Sequence, residues 1–92
     1  TQVGIQSPER SIVLQAIEMG VPRYNDGDHV GCADLYELAI SSILMMGDVP
    51  DDLRAKTRKD VRAAMALTSD EDRAWAHRRN MDRLLEQTPA AP

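Results

Sequence analysis

With 92 residues the chain holds one small domain and is too short for two, since single domains typically hold on the order of 100 to 150 residues. Its apolar share of 42% comes from Ala, Leu, Ile, Val and Met, with no Phe and only Tyr24, Tyr36 and Trp75 as aromatics, a palette that favours helices over strands. A formal charge of −4 speaks against a general nucleic-acid binder, a single cysteine excludes an intrachain disulfide or a cysteine metal cluster, and no run approaches the roughly 18 apolar residues of a membrane span.

Residues 1–6 read as an N-terminal arm. Ser7-Pro8-Glu9 then supplies a capping hydroxyl, Pro at the first helical position and an acid near the positive end of the dipole, so a helix is expected from about Pro8. Ile12, Ala16 and Met19, with Val13 and Ile17 beside them, give it one buried face. Pro22 lacks an N–H and crowds the carbonyl of Glu18, which predicts a kinked continuation to about Asn25.

Asp26-Gly27 supplies the turn and Asp28 caps a second helix with the stripe Cys32, Tyr36, Ala39, Ile43 and Met46. Its later half is apolar nearly all round, as in a helix central to its bundle or buried at a partner interface. Gly47 ends it. Asp48-Val49-Pro50-Asp51-Asp52 opens a third helix with Asp48 as the cap candidate and Leu53, Thr57, Val61, Ala64 and Met65 inside. Ser69 caps a fourth, with an acidic first turn and an inner face of Ala74 or Trp75, His77 or Arg78, then Met81, Leu84 and Leu85; it should fray before Pro89, leaving 88–92 as a tail.

Short connections between four such helices predict an all-α, up-down-up-down four-helix bundle made of two antiparallel helical hairpins, in one domain spanning 1–92. Residues 1–50 carry two basic and seven acidic residues, for −5, and residues 51–92 nine and eight, for +1, so an acidic first half is set to dock on a more basic second half or on a basic partner. The chain starts at Thr1 with neither an initiator Met nor a basic-then-apolar leader, as expected of a mature secreted or periplasmic chain, a Met-trimmed cytoplasmic one or an excised fragment, soluble in each case.

Four patterns bear on function. Tyr24, Gly27-Asp28, Ala33, Leu35-Tyr36 and Ala39 stand as in the middle of a tetratricopeptide-type hairpin, which residues 24–40 resemble; the resemblance implies a partner-binding scaffold. The first-helix Trp and Gly-Tyr signature of that family is absent here. Asp26, Asp28, Gly31, Asp34 and Glu37 fit the first, third, sixth, ninth and twelfth places of a calcium loop, whereas Val30 takes a place normally held by an oxygen ligand. A helix beginning at residue 29 excludes that loop, since Asp34 and Glu37 then lie on its surface.

Cys32 early in a helix, three residues after His29, is the one pairing that offers a nucleophile, against the plainer reading of a small hydrophobe on an apolar stripe. Arg73, Arg78, Arg79 and Arg83 beside Trp75 and His77 make either an anion patch or, with Asp72, Asp82 and Glu86 interleaved, a solvated helix face. No catalytic constellation emerges and no cofactor is implied. The leading expectation is a non-catalytic module that binds a protein partner or itself through Tyr36, Ile40, Ile43, Leu44, Met45 and Met46, with neither nucleic acid nor membrane as partner; the alternative is calcium or small-ligand binding centred on residues 26–37, through Asp26, Asp28, Asp34 and Glu37.

Overall fold

A computed structural model describes residues 7–86; the expected arm at 1–6, the tail at 88–92 and the fraying before Pro89 lie outside the described residues. Four helices follow in order: α1 (Ser7–Asn25), α2 (His29–Met46), α3 (Asp51–Met65) and α4 (Asp70–Glu86). They form the expected up-down-up-down bundle of two antiparallel hairpins. α1 packs on α2, α3 packs on α4, and the two hairpins meet where α2 lies along α4, with only slight contact between α2 and α3. Asp34 opposite Arg73 and Glu37 opposite His77 fix α2 and α4 as parallel neighbours.

The turns obey their local chemistry. α1 runs through Pro22 to Asn25, and the chain reverses where Gly27 takes a φ of +90°, a value that side chains rarely tolerate. Asp28 then caps α2, its Oδ1 accepting the Gly31 N–H at 2.9 Å. Ser69 does the same for α4, accepting the Asp72 N–H at 3.2 Å.

The end of α2 is held by two side chains whose roles the sequence leaves silent. Asp48 was the expected cap of α3; instead Pro50 occupies that position without a side-chain bond, and the Asp48 N–H donates to Oε1 of buried Glu9 at 2.8 Å. Proline directly before the helix leaves Asp48 too far upstream to reach its first amides. From the other side Arg54 donates to the Leu44, Gly47 and Val49 carbonyls, gathering otherwise unpaired acceptors at the α2 C-terminus.

The core collects Val13, Cys32, Ala33, Tyr36, Ile40, Ile43, Leu44, Val49, Val61, Met81 and Leu84. The expected inner faces shift in α1, α2 and α3, and in α4 the open alternatives are decided. In α1, Ile12 and Met19 point outward and Val13, Ala16 and Gly20 point inward, because Gly20 lets the Tyr36 ring lie directly on the α1 backbone. Met46 and Met65 are the last residues of α2 and α3 and are exposed. In α4, Ala74 and His77 take the inner positions, and Trp75 sits half in solvent.

The close approach at Gly20 makes a sharp prediction. A Cβ there would overlap Tyr36 Cε1, and that ring is itself buried. Helix propensity alone favours Ala over Gly by about 1 kcal/mol, but overpacking typically costs about 1–3 kcal/mol, so Gly20→Ala should destabilise on balance. Chemical denaturation should find Gly20→Ala below wild type in a Tyr36 background and above its Gly20 parent once Tyr36→Leu removes the ring.

Candidate functional site

α2 presents two sides of different character. One faces α1 and α4 and is consumed by the core: Tyr36, Ile40, Ile43 and Leu44, four of the six expected partner-binding residues, are buried within the chain itself. Met45 and Met46 are each 80% exposed, and α3 touches α2 too little to cover them. The accessible part of the expected interface is therefore the two methionines and whatever continues from them.

What continues from Met45 is an apolar strip along the outer groove between α1 and α2. Leu35, Leu38, Ser42 and Met45 follow one another at spacings of three and four on α2, and on α1 Ile12 and Ala16, and Gln15 and Met19, stand four apart along one side. These residues, Met45 apart, line with Ala39 a groove of about 250 Å³ that contains no charged side chain. Leu38 is 65% exposed and Met19 54%. The pattern is visible in the sequence, but a helix apolar nearly all round hides which side is surplus until its neighbours are placed.

The acids of residues 26–37 are dispersed by the helix that starts at His29. Asp28 caps α2 and lies 3.8 Å from Arg23, Asp34 pairs with Arg73 at 2.9 Å, and Glu37 Oε1 faces His77 Nε2 at 3.6 Å. Among the described residues no group of three or more His, Cys, Asp or Glu is placed to hold a metal ion. Three of the four arginines of α4 are likewise engaged: Arg73 also meets Asp70, Arg78 meets Asp82, and Arg83 meets Asp60 on α3. Asp60, Arg79, Asn80, Arg83 and Glu86 border a broad, open groove between α3 and α4 in which both signs of charge are mixed. No described helix is long and apolar enough to cross a membrane.

His29 and Cys32 go separate ways. The His29 ring packs on Tyr24 with centroids 4.4 Å apart, whereas the buried Cys32 thiol accepts from the Tyr36 hydroxyl. Burial pushes the Cys32 pKa up, the opposite of what an attacking thiolate needs. Tyr36 is pushed up to about 12 by burial and its thiol neighbour and stays a neutral phenol, to which the Arg78 guanidinium donates in turn.

These three side chains form the inner wall of a cavity of about 240 Å³ whose remaining lining is Val21, Tyr24, Asn25 and Trp75. Trp75 Nε1 donates to the Tyr24 hydroxyl at 2.8 Å, and that hydroxyl donates to Glu71 at 3.0 Å. The two rings are held edge to face, 5.8 Å between centroids. α1, α2 and α4 each contribute, so no local motif announces the cavity; only the Tyr24-to-Cys32 turn and the Trp75 neighbourhood, read separately, hint at it.

Comparison with known proteins returns no match: no family model fits the sequence, and no curated protein or solved structure is significantly similar to it.

Proposed function

We propose that the protein is a non-catalytic self-association module whose α1–α2 outer face, through Ile12, Met19, Leu35, Leu38 and Met45, docks on the same face of a second copy. The observation that carries this reading is the uncharged groove between two antiparallel helices, continued by Met45 and Met46 at 80% exposure. Among the described residues, eleven large apolar side chains are exposed against nine buried in the core, a surplus that calls for a cover. An uncharged two-helix surface is self-complementary under a twofold axis, where each residue meets apolar neighbours and no like charges are forced together. A helix pair laid on a helix pair makes the packing of a four-helix interface. The tetratricopeptide-type resemblance of residues 24–40 implies partner binding and agrees in kind with this role.

Sedimentation equilibrium across concentration tests it. Wild type should pass from monomer to dimer, while Leu38→Glu, which places a carboxylate in the apolar seam, should weaken association by about 2–4 kcal/mol, roughly 30- to 1000-fold in Kd. Leu38 is mostly exposed in the single chain, so the variant should melt as wild type does at low concentration. Met65→Glu, on α3 and outside the groove, serves as a control and should dimerise normally. A chain that stays monomeric at every concentration contradicts the proposal.

A further inference from the structure

We propose that the cavity among α1, α2 and α4 is a binding site for a small aromatic carboxylate, a function independent of the self-association face. Its size sets the scale of the occupant. About 240 Å³ exceeds the roughly 150 Å³ apolar cavity that takes up benzene and falls short of the roughly 300 Å³ at which drug-sized pockets begin. One substituted ring fits, and a dinucleotide or a peptide helix does not.

The lining sets the chemistry. Tyr24, Tyr36 and Trp75 offer ring faces and edges, Val21 an aliphatic wall, and Cys32 a soft, neutral thiol at the inner end. Against this apolar body stands one cation, Arg78. A guanidinium carries five N–H donors in a planar fork; Asp82 takes Nε at 3.1 Å and Tyr36 takes another donor, and these two partners cannot use them all. The remaining donors are suited to the paired oxygens of a carboxylate, with the Asn25 amide also on the wall. No acid is among the lining residues, and the nearest carboxylates, Asp82 on Arg78 and Glu71 on the Tyr24 hydroxyl, are already engaged with these partners.

The walls are also fixed before a ligand arrives. The Trp75-to-Tyr24-to-Glu71 hydrogen bonds hold two rings from different helices, and the Arg78-to-Tyr36-to-Cys32 relay holds the opposite side. Such prior ordering lowers the entropic cost of binding. It also explains why the chain places its only tryptophan half-exposed beside a tyrosine rather than in the aromatic-poor core.

Trp75, as the sole tryptophan, reports on the cavity by its emission. Benzoate and phenylacetate are titrated against their neutral amides, benzamide and phenylacetamide, on the full chain, with amide-resolved NMR shifts recorded in parallel. The carboxylates should saturate below about 10 mM, bind about tenfold or more tightly than the matched amides, and move the resonances of Val21, Tyr24, Cys32, Tyr36 and Trp75. Arg78→Gln should remove the preference for the acid and leave the weak amide binding. Equal binding of acid and amide, an unaltered preference in Arg78→Gln, shifts located outside the cavity, or absence of saturation would each overturn the assignment. The acid–amide comparison on wild type decides the matter even if the Arg78 variant folds poorly.

Discussion

Ile40→Ala is expected to lower the stability of the folded chain by about 2–5 kcal/mol, the range for removing a large aliphatic side chain from a core that cannot close over the gap. Ile40 is fully buried at the centre of the inward side of α2, the helix that joins both hairpins. The core contains no Phe, and much of its lining is Ala16, Ala33, Ala39 and Ala74, which have no rotamers to swing into a void. Domains of this size are stable by only about 5–15 kcal/mol, so the loss is a large part of the whole. Denaturant titration followed by far-ultraviolet circular dichroism should show a lower midpoint with an unchanged slope, and Ile40→Val should lose only about 0.5–1.5 kcal/mol. A loss under about 1 kcal/mol for the alanine would mean that α2 is not the centre of the core.

The second large effect is a dependence of stability on pH that originates at His77. Its imidazole is fully buried, neither ring nitrogen has a hydrogen-bond partner, and burial, with Arg73 nearby and Asp34 opposing, pushes its pKa down to about 4. The ring is therefore neutral at pH 7, and the Glu37 carboxylate at 3.6 Å is a neighbour rather than an ion-pair partner. Unfolded, the same group has its ordinary value of 6.5. Between pH 6.5 and 4 the unfolded chain thus binds the extra proton, so stability falls as pH falls through that window, by on the order of 2 kcal/mol from this group. His77→Leu keeps the volume, removes two unpartnered nitrogens and should flatten the decline without loss at pH 7. Unfolding midpoints from pH 7.5 to 4, wild type against His77→Leu, make the comparison; the carboxylates titrate in both and cancel. An equally steep decline in the variant would place the acid sensitivity elsewhere.

How far the fold is legible in the chain depends on the kind of signal. Helix ends are written in local chemistry: Asp26-Gly27-Asp28, Gly47 and Ser69 each act on amides or carbonyls within a few residues, and the helices begin and end beside them. Which side of a helix is buried is decided from outside it. Ile12 and Met19 make a more hydrophobic face than Val13, Ala16 and Gly20, yet the smaller face wins, because it admits the Tyr36 ring from α2. Glu9 escapes sequence reading for the same reason: the Asp48 amide that it satisfies is far from it in the chain and is brought close only by the packing of α1 on α2. The outer groove was half visible, as Met45 and Met46, while its extension through Leu35 and Leu38 depends on knowing where α1 lies. The cavity at Arg78 is only hinted at in the sequence, by the Tyr24-to-Cys32 turn and the Arg78–Trp75 neighbourhood read apart, because its lining comes from three helices.

Self-association through the α1–α2 face is tested most directly by isotope-filtered NMR on a mixture of labelled and unlabelled chains, which detects only contacts between copies. The expected intermolecular contacts join the side chains of Ile12, Met19, Leu35, Leu38 and Met45 to one another and disappear in Leu38→Glu. Contacts confined to Met65, Leu67 or Trp75, or none at concentrations high enough to drive association, would contradict it.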